Sequence, residues 1–188
     1  MSEISITNLK LSGLKLLNRD NYFDERGAFH KVFSSVHLAD AWNYPIQQIN
    51  LSHTAKKGTV RGMHLQLPPE TEAKIVTCLK GRIFDVAVDL RQDSDTFLQW
   101  HAEELSQDNL SSLLIPAGFA HGFQALSDNV EMLYIHSHNY VKDKEFGINH
   151  LDETLNITWP LQITVCSEKD KTLPRLSKQI LEEIKNEM

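Results

Sequence analysis

The chain has 188 residues, 41% hydrophobic and 23% charged, with a formal net charge of −6. That length supports one domain with a real core, and the composition is that of an ordinary globular protein. No basic block occurs, which argues against nucleic acid as a partner, although a few local Arg and Lys residues can still hold an anionic ligand. Cys78 and Cys166 are too few and too far apart for a C-x-x-C motif or a disulfide framework. The opening MSEISITNLK lacks a signal pattern, and no apolar run reaches membrane-spanning length. The expectation is a single domain over 1–188, cytoplasmic, with reduced thiols and no membrane partner.

Residues 4–11 (ISITNLKL) alternate apolar and polar, a strand pattern. DERG (24–27) reads as a turn, and AFHKVF after it as a strand. SSVHLADAW (34–42) reads as a short helix with a serine cap. Strand-like runs then recur from Gln47 to Tyr140, separated by turn signals such as KKG, LPPE, LKG, RQDSD and PAG. Short strands with regular turns predict a sandwich or barrel. In RLSKQILEEIKNEM, Leu176, Ile180, Leu181 and Ile184 form one stripe, which predicts a closing helix.

RIFDVAVDL carries unusual content. Phe84, Val86, Val88 and Leu90 share one face, and Ile83, Asp85, Ala87 and Asp89 the other, so the strand is expected to be covered on both sides. An aspartate there must find a partner or shift its pKa. Asp89 is expected to begin the turn and meet water, with Asp85 lying deeper. His136-x-His138 has metal-ligand spacing but is read as surface-strand histidines, as are His30, His37, His53, His101 and His150. Cys78 is read as a small core residue.

Two spacings point to the cupin jelly roll. Gly58 and His64 match its first motif, with Gln66 where the second histidine belongs. Pro116-Ala117-Gly118-Phe119-Ala120-His121 matches the second in full, with Ala125 in place of a frequent asparagine. Glutamine is a weak, neutral ligand, so a tightly bound transition metal is disfavoured. The expected fold is mainly β, a cupin-type double-stranded β-helix with a few short helices, one of them C-terminal.

FDERGAF (23–29), QINLS (48–52), GTVRGMHLQ (58–66), FDVAVDLR (84–91), IPAGFAHGF (115–123), LYIHSHNY (133–140) and SEKD (167–170) sharpen the match. With these motifs the sequence resembles the dTDP-4-dehydrorhamnose 3,5-epimerase family, a metal-free branch of the cupins, over nearly its whole length. The resemblance implies an isomerase without cofactor or metal. It implies inversion of C3 and C5, the carbons flanking the ketone of a nucleoside-diphosphate 4-keto-6-deoxy sugar. Each inversion needs a base, a stabiliser for the enolate and an acid on the far face.

By resemblance His64 is the base, Asp170 its carboxylate partner, Tyr134 the proton donor and Lys74 the enolate stabiliser. Arg26, Gln48, Asn50, Arg61, His121, Tyr140, Glu145 and Lys169 match substrate contacts, and Asp85 supports the site by pairing with His121. In a regular strand Arg61 and His64 point to opposite faces, so a bulge at Gly62 is expected to turn both inward. Lys31, Leu65, Ile135 and Asn139 depart from the family pattern, which makes the reaction class a firmer expectation than the substrate. Inversion at one carbon, a 3,4-ketoisomerase, a metal-dependent cupin oxygenase and a non-catalytic sugar-nucleotide binding module stand as alternatives. Family homodimers share N-terminal strands, and the alternation in 4–11 fits a homodimer here.

Overall fold

A computed structural model describes residues 3–187. The chain opens with β1 (Ile4–Asn8), β2 (Lys15–Arg19) and a small hairpin, β3 (Tyr22–Asp24) and β4 (Gly27–Phe29). The main series follows as β5 (Gln48–Thr54), β6 (Val60–Gln66), β7 (Lys74–Lys80), β8 (Arg82–Asp89), β9 (Trp100–Ser106), β10 (Ser111–Ile115), β11 (Phe119–Ala125) and β12 (Val130–His136). A 3-10 turn (Lys142–Lys144), a short β13 (Glu145–Gly147) and two α-helices, α1 (Glu168–Lys171) and α2 (Lys178–Glu187), complete the described elements. One sheet runs in the order β1-β2-β10-β7-β12-β5 and the other β13-β6-β11-β8-β9, with antiparallel pairing between the strands of each. This is the jelly roll expected from the two motifs.

Alternation along the strands decides the layers. Val76 and Cys78 of β7, Ile83 and Ala87 of β8, Phe119 and Phe123 of β11 and Val130 and Met132 of β12 meet between the sheets. Their strand neighbours point outward. Val86 and Val88 join Met63, Leu65 and the C-terminal residues Leu155 and Ile184, while Ile75 and Ile135 join Leu38 and Trp42. β8 is therefore covered on both faces, as its two apolar stripes required. Each such side chain stabilises by roughly 1.5–3 kcal/mol when fully buried.

Three local expectations change. Residues 34–42 form successive turns, with Leu38 N–H donating to Ser34 O (3.0 Å) and Trp42 N–H to Leu38 O (2.7 Å), and no helix propagates. A nine-residue segment has little helix of its own to gain, and docking of Leu38 and Trp42 on the first sheet decides its path. Asp89 does not meet water. It is fully buried, accepts from Arg91 Nε and Nη2 (both 2.8 Å) and from the Ser94 and Thr96 hydroxyls (both 2.6 Å), and thereby ties off the β8 turn. His150 is buried too, packed edge-on against Trp159 with Nδ1 3.9 Å from Cys166 Sγ. The closing helix forms as its apolar stripe predicts, with Ile180 and Ile184 on the outer cluster.

Candidate active site

A cavity of about 790 Å³ opens between the two sheets, lined by residues of β5, β6, β7, β11 and β12 and by the segment around α1. That volume suits a small-molecule ligand.

The β6 strand carries the bulge expected at Gly62. His121 pairs with His64 but Phe123 pairs with Arg61, so Gly62 and Met63 of β6 stand opposite the single Gly122 of β11. Gly62 permits this: its φ is +116°, and a Cβ there would stand 2.5 Å from Gly122 Cα and 2.7 Å from His121 O. Arg61 and His64, which regular pleating would separate, both line the cavity.

His64 Nε2 stands 2.8 Å from Asp170 Oδ1, and Asp170 Oδ2 accepts from Gly62 N–H at 3.1 Å. The helix α1 delivers Asp170, and its cap, Ser167 Oγ, accepts from the Asp170 N–H (3.0 Å). Burial alone would raise the Asp170 carboxyl, but the bonds from His64, Gly62 N–H and Ser167 outweigh it and hold it below its ordinary value. An ionised carboxylate only accepts, so in neutral His64 the proton sits on Nε2 and the lone pair on Nδ1. That is a base oriented from behind.

Tyr134 of β12 lines the same cavity, its hydroxyl 3.2 Å from Ser52 Oγ. Burial pushes its phenol up to about 12, with Ser52 opposing only in part. The hydroxyl thus stays protonated at neutral pH. The Tyr134 ring stacks on His136 (6.0 Å, 16°) and meets His121 edge-on (6.3 Å, 69°).

Lys74 of β7 is 5% exposed and pairs with Glu72 Oε1 at 2.7 Å. Glu72 Oε2 lies 2.8 Å from His136 Nδ1. Burial by itself would raise the Glu72 carboxyl, but the Lys74 ammonium and His136 hold it at about 2. On the opposite wall His121 Nε2 is 2.8 Å from Asp85 Oδ1. Asp85 is fully buried and its Oδ2 has no hydrogen-bond partner, so burial pushes this carboxyl up while His121 pulls it back.

The expected ligand contacts divide. Asn50, Arg61, His121, Glu145 and Lys169 line the cavity. Arg61 is aimed by Thr54 Oγ1 (3.0 Å) and His53 O (3.1 Å). At the cavity rim Glu145 takes the Lys169 ammonium and, at 2.7 Å, the Tyr140 hydroxyl. Gln48 stands behind Asn50, donating to its Oδ1 (3.0 Å). Arg26 departs from the set. It sits exposed on the β3–β4 hairpin, its guanidinium on Asp24, and is not among the residues of its own chain that form the cavity. The hairpin pairs as its own two-stranded sheet, outside the two sheets that frame the cavity.

Gln66, at the place of a cupin metal ligand, spends its amide on the backbone: it donates to Glu70 O and Asn139 O (both 3.1 Å) and accepts from Val141 N–H (2.6 Å). Among the described residues, no group of three or more His, Cys, Asp or Glu side chains is arranged to hold a metal. Leu65 and Ile135, two departures from the family pattern, point into the outer apolar clusters and away from the cavity.

Sequence reasoning missed Glu72, Ser52 and the inward position of His136. A signal existed for two of them. Glu72 is two residues from Lys74 and His136 two from Tyr134, the spacing that shares a strand face.

The sequence profile for dTDP-4-dehydrorhamnose 3,5-epimerase matches residues 8–178. The chain is 42% identical over 148 residues to the dTDP-4-dehydrorhamnose 3,5-epimerase of Shigella flexneri, covering 78% of this chain and 82% of that one. It is similar to the crystal structure of the Bacillus anthracis enzyme with TDP and PPi bound, at 36% identity and a TM-score of 0.89 over 92% of this chain and 99% of that one. It is also similar to the Legionella pneumophila enzyme in complex with dTDP-4-keto-L-rhamnose, at 36% identity and a TM-score of 0.85 over 93% and 100% of the two chains.

Proposed function

Since the chain belongs to the dTDP-4-dehydrorhamnose 3,5-epimerase family, we propose that it converts dTDP-4-dehydro-6-deoxy-D-glucose to dTDP-4-dehydro-L-rhamnose by inverting C3 and C5. One observation carries the reading: a carboxylate-oriented imidazole, His64, and a phenol kept protonated, Tyr134, line one cavity of the right size. His64 Nδ1 takes the proton next to the ketone, and the electron pair moves onto the ketone oxygen as an enolate. The Lys74 ammonium, itself buried, stabilises that charge. Tyr134 then donates its proton to the carbon from the other face, and the ketone re-forms. His64–Asp170 is left as an imidazolium–carboxylate pair that returns its proton to solvent, and the Tyr134 phenolate takes a proton back from solvent, so base and acid are both reset before the second inversion. Positioned acid–base groups of this kind contribute about 10²–10⁴-fold each.

Arg61 supplies the charge for the diphosphate, because a guanidinium matches phosphate oxygens two at a time. Asn50, Gln48, Tyr140, Glu145 and Lys169 complete the ligand contacts, with His121–Asp85 shaping the wall. Residues 1–188 act as one catalytic unit, in the cytoplasm, with both thiols free. Among the described residues no helix is long and apolar enough to cross a membrane.

The active form is a homodimer. Phe23 and Phe29 of the hairpin are 77% and 71% exposed, and Ile49 and Leu51 on the edge strand β5 are 58% and 65% exposed beside the cavity mouth. An open edge with apolar side chains calls for cover. The hairpin of a second copy laid there carries Arg26 toward the cavity it cannot reach in its own chain.

The test is incubation of the substrate with the protein in deuterated water. Deuterium should enter C3 and C5, and the product should be the L-sugar. Exchange at C3 alone indicates a single-carbon epimerase, and a shifted ketone an isomerase. A protein that binds the nucleotide sugar with no exchange at any concentration is a binding module.

A further inference from the structure

Glu72 and His136 have no part in the proton transfers above, yet both line the cavity beside Lys74 and Tyr134. They end a chain of hydrogen bonds whose direction is fixed at both ends. At one end the Tyr140 backbone N–H, which can only donate, meets Gln48 Oε1 at 3.1 Å. The Gln48 amide nitrogen must then face Asn50 Oδ1, and does, at 3.0 Å. The Asn50 amide nitrogen in turn faces His136 Nε2 at 3.4 Å. At the other end the ionised Glu72 carboxylate, which can only accept, faces His136 Nδ1 at 2.8 Å and the Lys74 ammonium at 2.7 Å. The two ends demand the same direction, so no amide in the chain is free to flip without leaving two donors or two acceptors face to face.

We propose that Glu72 and His136 are positioning residues of this site, holding the Lys74 ammonium in place and committing Asn50 to offer the ligand an N–H and never its oxygen. The wall formed by Asn50 and Lys74 is then a donor-only surface. It accepts a ligand group rich in acceptor oxygens, a carbonyl or a phosphate. It disfavours a hydroxyl proton or an amine at that place, because Asn50 and Lys74 offer no acceptor and the two Glu72 oxygens beside them are already taken by Lys74 and His136. This inference rests on the cavity being the sugar-nucleotide site.

The direction of the chain also sets a tautomer. In the neutral ring the His136 proton belongs on Nδ1. Glu72→Gln keeps the shape but leaves one acceptor oxygen for two donors. The ammonium takes that oxygen, the new amide N–H turns to His136 Nδ1, and the proton must move to Nε2.

The experiment is long-range ¹⁵N–¹H correlation of the imidazoles, with His136 assigned by its loss in His136→Gln. It is run at a pH where the ¹⁵N shifts of His136 show the neutral ring. Wild type should show the Nδ1–H form and Glu72→Gln the Nε2–H form. Exchange of substrate protons in Glu72→Gln should fall about ten- to hundredfold, the cost of misplacing a reacting group. A wild-type His136 in the Nε2–H form overturns the proposal, even if Glu72→Gln fails to fold. So does a folded Glu72→Gln with unchanged tautomer and unchanged exchange. Wild type with the Nδ1–H form but no exchange sinks the epimerase reading and leaves the hydrogen-bond chain standing.

Discussion

If His64 and Tyr134 divide the proton transfer between two faces of the sugar, their substitutions should fail differently. His64→Ala removes the only base that Asp170 orients. Exchange at both carbons should drop by about 10³-fold or more. Tyr134→Phe leaves the base intact and removes the donor. Inversion should fall by about 10²–10³-fold while exchange stays within about tenfold, because the enolate still forms and takes back a proton from the first face. Parallel loss of exchange and inversion in Tyr134→Phe would show that one residue does both jobs. Glu72 adds a pH signature. Its folded-state value of about 2 lies below the ordinary 4.5, so its stabilisation is complete above about pH 4.5 and drains as pH falls toward 2. The difference is worth about 3 kcal/mol. Urea unfolding of wild type should therefore lose about that much more stability between pH 6 and 2 than does Glu72→Gln.

At the scale of elements, the site depends on one irregularity in β6 and on one short helix. Gly62 gives the strand its bulge and lets β6 and β11 approach more closely than any side chain allows. Gly62→Ala adds a Cβ within 2.7 Å of backbone on β11 and holds a β-carbon at positive φ. Overpacking of that kind costs about 3 kcal/mol, or about 6–12 °C in Tm for a chain this long. Thermal unfolding checks the first effect. Exchange assays at a temperature where the variant is folded check the second, since a β6 forced back to regular pleating turns Arg61 or His64 out of the cavity. The four residues of α1 are too few to stand alone. Ser167 caps them and the Asp170 contacts to His64 and Gly62 hold them to β6, so the helix and the catalytic pair stabilise one another.

For the whole molecule, the separation of Arg26 from the cavity is the informative fact. If each site is completed by the partner's hairpin, two defective chains can repair one another. Arg26→Ala lacks the guanidinium but keeps His64, and His64→Ala has the reverse defect. After mixing and subunit exchange, half the dimers are mixed and each holds one intact site. Activity should rise to about a quarter of wild type from two nearly inactive proteins. Light scattering should give twice the 21.5 kDa chain mass. A monomer, or mixed chains that regain nothing, removes the shared site.

The sequence by itself determined most of the strands, the jelly roll and, through its resemblance to the family, the larger part of the cavity set, though not Glu72, Ser52 or His136. Those signals are local: alternation along RIFDVAVDL assigns its two faces without knowledge of any partner, and P-A-G-F-A-H is a turn and strand in one reading frame. A bulge at Gly62 is also expected, because the resemblance puts Arg61 and His64 in one site and regular pleating would separate them. What only the tertiary structure decided are the pairings across distance. Glu72 and His136 are 64 residues apart, and the register of β7 against β12 brings their neighbourhood together. Asp89, expected in water, is buried because Arg91, Ser94 and Thr96 fold back onto it. Arg26 matches a ligand contact in sequence yet stands outside its own cavity, since a motif records residue types and not where the fold places them. Periodicity specifies the face on which a side chain emerges, whereas hydrogen-bond direction, charge pairing and pKa depend on what the fold places opposite it.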